Sequence, residues 1–244
     1  MMTRGAIVGV LLALGAVSQV SATVVFGPDD FNSGVAINWT SLSYPLGVDT
    51  TPSGENFLGI AGDGSNFGLS SGTVNLTVGA LVPHTDAVVR FRLYVIRTMD
   101  GVEPFSVSTD GIDRINPDAT FSNLGNSSCT NNTSPGCTSI GAHNAPPGTI
   151  GPTVAALGFP PLNNGAVGDT FYDITLTFPH TAPALVVAFS YTGLQELNDE
   201  SWGLDKVTVE IRGDIQAAVP EPATLGLVGV GLAAFVGALR RRRS

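Results

Sequence analysis

Val88-Val89-Arg90-Phe91-Arg92-Leu93-Tyr94-Val95-Ile96-Arg97 is the stretch that decides the fold. Val89, Phe91, Leu93 and Val95 occupy every second position, with Arg90, Arg92 and Tyr94 between them. Successive side chains of a strand point to opposite faces, so this spacing predicts a strand with one apolar and one polar face. The pattern recurs along the chain. Val74, Leu76 and Val78 alternate with Asn75 and Thr77, and Tyr172, Ile174, Leu176 and Phe178 alternate with Asp173, Thr175 and Thr177. Leu185, Val187, Phe189 and Tyr191 follow Pro183, and Val207, Val209 and Ile211 enclose Thr208 and Glu210. One polar face per strand marks antiparallel sheets packed on one side. Gly, Pro, Asn and Asp clusters separate the runs, and no amphipathic helix stands between them. About ten short strands in roughly 200 residues predict an all-β fold, a two-sheet antiparallel sandwich of the jelly-roll type. An up-and-down barrel is the alternative.

Only 13% of the 244 residues are charged, and the formal net charge is −9. The basic residues concentrate at the ends. Residues 23–219 hold six basic side chains against nineteen acidic ones, a net charge of −13. Such a body repels nucleic acid, whose binding needs a basic footprint. It suits divalent cations, cationic partners or plain solubility.

Residues 1–22 read as a secretory signal helix. Arg4 gives a positive start, residues 5–17 are apolar, and Val20-Ser21-Ala22 supplies the small residues that signal peptidase requires. At the other end Pro220-Glu221-Pro222 precedes an uncharged apolar stretch, 223–239, closed by Arg240-Arg241-Arg242-Arg243. As a helix that stretch would span about 25 Å, the low end for a bilayer. Terminal arginines would stay cytoplasmic, leaving the body outside. The expected organisation is a signal peptide at 1–22, a β-sandwich ectodomain at 23–215 with a long loop at 123–161, and a transmembrane anchor segment at 216–244.

The tripeptide, apolar span and arginine cluster, in that order, resemble the PEP-CTERM sorting signal of Gram-negative bacteria. The resemblance implies that an exosortase recognises Pro220, Glu221 and Pro222 and cuts near them. The implied route runs through an inner-membrane intermediate to the cell surface or an exopolysaccharide matrix. Signal peptidase and exosortase would be processing partners, and the C-terminal helix would contact the membrane.

Within the loop, Cys129 and Cys137 are the two cysteines of the chain. In an oxidising compartment they are expected to form a disulfide. One cysteine pair with a distant His143 falls short of a zinc site. Gly68-Leu69-Ser70-Ser71-Gly72 spells G-x-S-x-G, but a strand follows it where a hydrolase elbow has a helix, so a turn is expected. His84 and His180 each sit in Pro-His-Thr just before a strand and read as structural.

Carboxylates gather at strand ends beside glycines: Asp100-Gly101, Asp110-Gly111, and Asp199-Glu200-Ser201-Trp202-Gly203-Leu204-Asp205. Asp100, Asp110, Asp199, Glu200 and Asp205 are therefore candidate calcium ligands, because calcium takes six to eight oxygens. Ordinary Asp-Gly turn chemistry is the competing explanation. Together with Asn56-Phe57-Leu58-Gly59, 73–77 and 91–96, these segments resemble the jelly-roll, lectin-like ectodomains common in PEP-CTERM proteins. Thr98-Met99 departs from that pattern, which often has a tryptophan there.

Two functions follow. The first is a non-catalytic surface or matrix protein that binds glycan or exopolysaccharide, with Trp202, and less so Trp39, offering a face for a sugar ring. The second is a secreted glycan hydrolase or lyase drawing a carboxylate pair from Asp199, Glu200 and Asp205. Adjacent Asp199 and Glu200 would point to opposite faces of a strand, which favours binding over catalysis.

Overall fold

The computed structural model describes residues 20–62, 68–123, 140–154, 156–160 and 168–214. The chain divides into two units, residues 22–213 and the two termini 1–21 with 214–244, and the sandwich is the first of them. Of the signal helix expected at 1–22, residues 20–22 are described and open a strand instead of continuing a helix; the rest of it, the C-terminal helix, the sorting tripeptide and the Cys129–Cys137 pair lie outside the described residues.

The strands are β1 (Val20–Asp29), β2 (Trp39–Ser41), β3 (Leu46–Thr50), β4 (Asn56–Ile60), β5 (Gly72–Val78), β6 (Asp86–Arg97) and β7 (Phe105–Thr109). They continue as β8 (Ile112–Asp113), β9 (Thr120–Ser122), β10 (Gly141–His143), β11 (Ile150–Val154), β12 (Gly168–Pro179), β13 (Leu185–Tyr191) and β14 (Glu200–Asp214). No helix appears among the described residues, and none there is long and apolar enough to cross a membrane. The larger sheet runs β11-β12-β6-β14-β4-β3, with β1 also on β14; the smaller runs β2-β5-β13-β7-β8. All recorded pairings are antiparallel. The fold is the two-sheet jelly-roll sandwich that the alternation predicts.

The alternation sets which side chains meet. Val89, Phe91, Leu93 and Val95 of β6 join Ile174, Leu176 and Phe178 of β12 and Val187 and Phe189 of β13 in one buried core. Each such side chain contributes about 1.5–3 kcal/mol on burial. Arg90 and Arg92 fall on the outer face, where they pair with Glu210 at 2.9 Å and Asp173 at 2.8 Å. In β14 the parity changes. Trp202 and Leu204 face the core, and so do Val207, Val209 and Ile211. A bulge between Asp205 and Thr208 inserts the extra residue, with Lys206 at φ 53°. One extra residue on one strand is what restores the apolar face after such a break in period two.

Within the loop expected at 123–161, residues 141–143 and 150–154 form strands. β10 pairs with β9, and β11 forms an edge strand on β12. All five residues of β11 are exposed, so no apolar face exists to betray it in sequence. Beyond it, Leu157 and Phe159 cover Phe57, Tyr94 and Ile96 on the outer face of the large sheet. The buried Asp169 carboxylate fastens that cover by accepting the Leu157 and Phe159 amides, each at 3.0 Å.

Candidate functional site

One end of the sandwich gathers three acids. β6 ends at Arg97, and the chain turns through Asp100-Gly101-Val102-Glu103 before β7 begins at Phe105. Gly101 takes φ 84°, a left-handed conformation that a side chain disfavours. The turn brings Glu103 back beside Asp100, and Glu200 reaches them as the first residue of β14. One carboxylate oxygen from each of Asp100, Glu103 and Glu200 lies within 4.8 Å of the other two. Glu103 and Glu200 are 4% and 0% exposed. The Gly101 amide donates to Glu103 at 3.2 Å, and the Gln195 amide donates to Glu200 at 2.8 Å.

Burial and then the charge of Glu200 push the Glu103 carboxyl up to about 7. Burial likewise raises Glu200, with Asp100 and Asp199 adding to it. Tyr191 is wholly buried against Phe105 and Trp202, two residues along the chain from Glu103 and Glu200 respectively. Its hydroxyl has no hydrogen-bond partner among the described residues. Burial drives its pKa well up, and the charges of Glu103 and Glu200 contribute. A cleft of about 660 Å³ lined by Gln195, Glu196, Asn198 and Asp199 opens beside the cluster.

Of the five carboxylates expected to converge, Asp100 and Glu200 do so. Asp199, just before β14, is turned onto the Thr98 hydroxyl, and its carbonyl accepts from the amide of Thr98, just after β6, at 2.9 Å. Asp205 lies on the outer face of the large sheet, accepting from the Tyr94 hydroxyl at 2.9 Å. The parity of β14 decides this, since Glu200 and Asp205 are an odd number of residues apart on one strand. Asp110 follows β7 at its far end, where the His180 imidazole meets it at 3.0 Å. His180 in turn contacts His84 at 2.7 Å. The two Pro-His-Thr segments therefore form one structural cluster, as their shared placement suggested, with a mutual contact that sequence could not show.

Glu103 is the residue the sequence reading missed. Its signal is the spacing Asp100-Gly101-Val102-Glu103, in which a left-handed glycine folds two carboxylates together. Trp202 does not offer a face to a sugar. It is fully buried, packed on Phe105 and Tyr191, and its indole donates to the Ser70 carbonyl at 2.9 Å. Trp39 is also buried, with its indole on Asp29 at 2.8 Å. The Gly68–Gly72 letters prove to be a strap: Leu69 bridges Trp202 backbone to backbone. A Cβ on Gly68 would meet the Trp202 carbonyl at 2.5 Å.

A second concavity lies on the outer face of the large sheet. Asp30, Arg90, Asp173, Thr175, Lys206 and Thr208 contribute to the walls of this cleft of about 450 Å³. Four of the six basic residues of the body, Arg90, Arg92, Lys206 and Arg212, stand on this face. Arg92 also lies 3.8 Å above the Phe171 ring.

Residues 218–243 match the PEP-CTERM protein-sorting motif. The match marks an exported protein processed by exosortase, as the C-terminal sequence led us to expect. None of the curated proteins matches the chain in sequence. Among solved structures, the chain is similar to a non-crystalline cellulose specific carbohydrate-binding module, at 12% identity over 74% of this chain and 91% of that one, with a TM-score of 0.38. It is similar to a family 35 carbohydrate binding module from Clostridium thermocellum, at 10% identity over 78% and 97%, with a TM-score of 0.32. It is also similar to a cleaved adhesin domain of Lys-gingipain from Porphyromonas gingivalis, at 13% identity over 80% and 98%, with a TM-score of 0.35. Likenesses at this level say nothing of ligands.

Proposed function

We propose that the body is a non-catalytic glycan-binding domain of the cell surface or extracellular matrix, and that its ligand is an acidic polysaccharide. The observation that carries this reading is the cleft on the outer face of the large sheet. A body of charge −13 places four of its six cations on this face, and two of them, Arg90 and Lys206, line the cleft. Arg92 and Arg90 are already held by Asp173 and Glu210. Lys206 has no ion-pair partner among the described residues and stands exposed on the bulge. Carboxylate, hydroxyl and cationic side chains side by side supply the donors and acceptors that sugar hydroxyls need, and the free cation suits an anionic sugar. The volume falls within the range of small-ligand sites.

With both tryptophans in the core, this reading rests on hydrogen bonds and charge rather than on an aromatic platform. In the same reading, exosortase acts on Pro220-Glu221-Pro222 after the C-terminal helix has held the protein in the inner membrane of a Gram-negative cell. Cys129 and Cys137 are joined once the body is outside.

Affinity electrophoresis of the full chain in gels containing the organism's exopolysaccharide tests the proposal. An Arg90→Ala/Lys206→Ala variant should bind at least tenfold more weakly, with salt reducing the binding of the native protein. Equal retardation of variant and native protein would move the glycan away from this face. Release of reducing ends during the same incubation would show that the domain is an enzyme.

A further inference from the structure

At the three-acid end of the sandwich the buried pair Glu103 and Glu200 has no compensating cation among the described residues. Glu103 and Glu200 are buried, and two like charges this close in a desolvated site cannot both remain ionised without compensation. Among the described residues no Lys, Arg or His forms an ion pair with either. The amides of Gly101 and Gln195 each donate to one of them, which favours the ionised form but supplies no positive charge. The Tyr191 hydroxyl is a second and independent sign. Among the described residues it is a wholly buried polar atom without a partner, and its ring packs on Phe105 and Trp202, which stand two residues along the chain from Glu103 and Glu200. Buried polar groups are nearly always satisfied, so an orphan hydroxyl beside clustered acids points to a missing atom.

We propose that Asp100, Glu103 and Glu200 bind one divalent cation, calcium, with the Tyr191 hydroxyl facing the cation or a water bound to it. The donor set is all oxygen, which selects calcium or magnesium over zinc or copper. Acids from the turn after β6 and from the start of β14, which are adjacent strands, give a site that closes only when the sheet is formed. The cation would thereby tie the β6–β7 turn to β14. The cleft beside Glu200, lined by Gln195, Glu196, Asn198 and Asp199, gives ions a way in and room for bound water. The inference does not depend on the glycan reading, and its test uses the metal alone.

The competing explanation is a proton shared between Glu103 and Glu200. Full-chain protein is stripped with chelator and titrated with calcium, magnesium and terbium while melting and terbium luminescence are followed. Calcium should raise the melting temperature. Terbium, which takes the same oxygen ligands, should luminesce through Tyr191 and its neighbour Trp202 and be displaced by calcium. Glu200→Gln and Glu103→Gln should each weaken calcium at least tenfold while the metal-free variants melt no lower than the metal-free native protein, since a repulsion has gone. Should millimolar calcium and magnesium leave the native melting temperature unchanged, with Glu103→Gln melting higher whether metal is present or not, the shared proton is the answer and the proposal fails. A calcium response that survives intact in both glutamine variants overturns it as well.

Discussion

The two ends of the sandwich each bury titratable groups, and they treat them in opposite ways. At one end His84, His180 and Asp110 form a closed chain. The His84 ring meets the Val82 carbonyl at 2.6 Å and His180 at 2.7 Å, and His180 meets Asp110 at 3.0 Å. Asp110 also accepts the Val186 amide at 2.9 Å. Every polar ring atom has a partner within the protein. At the other end of β6, β7 and β14 stand Asp100, Glu103 and Glu200, with the Tyr191 hydroxyl left over. The first cluster is complete as folded and acts as a latch, joining residues next to the large sheet to the end of β7 in the small one. In the second, the described residues give Glu103 and Glu200 no ion pair and the Tyr191 hydroxyl no partner. A buried polar cluster that satisfies itself reads as structure, and one that does not reads as a site.

The contrast can be broken most forcefully at the latch. His180→Ala leaves the His84 ring facing a gap and should cost about 2–3 kcal/mol in urea denaturation, because the buried His84 nitrogen loses its partner. That loss should be the same with calcium or chelator. A calcium-dependent loss would mean that the two ends are not independent.

The acidic end should respond to pH in a way set by its raised carboxyls. Glu103 binds its proton more tightly in the folded protein, up to about 7, than in the unfolded chain. The native state then holds more protons than the unfolded one between the ordinary carboxylate range and pH 7, so metal-free stability falls as pH rises across that window. Stability that instead rises over the same interval in chelator would show that Glu103 and Glu200 have a cationic partner after all. The smallest effect is expected from Tyr191→Phe. Removing an orphan hydroxyl from a packed ring should change metal-free stability by no more than about 1 kcal/mol, in either direction. A larger loss in the melting curve would reveal a hidden partner.

The fold was legible because burial obeys strand parity. Val89, Phe91, Leu93 and Val95 showed their inward face, and even the bulge in β14 left a trace where Leu204 gives way to Val207. β11 left none, since an edge strand exposed along its length carries no apolar period. The site was half legible. Asp100 and Glu200 were read from carboxylates at strand ends near glycines, whereas Glu103 was not read as part of the site. Asp110 and Asp205 looked the same in sequence and went elsewhere, because the end of a strand and the face of a strand are properties of the sheet.

By itself the sequence determined the export address and the alternation that makes a sandwich, since both are written in runs of neighbouring residues. The PEP-CTERM motif needs no fold to be recognised. Which acids meet, and that both tryptophans are core, depended on strands far apart in the chain lying side by side. Glu103 and Glu200 are 97 positions apart and come together because β6, which precedes Glu103, hydrogen-bonds to β14, which begins at Glu200. Long-range pairing of that kind follows from the summed burial of a whole sheet, and no local segment records it.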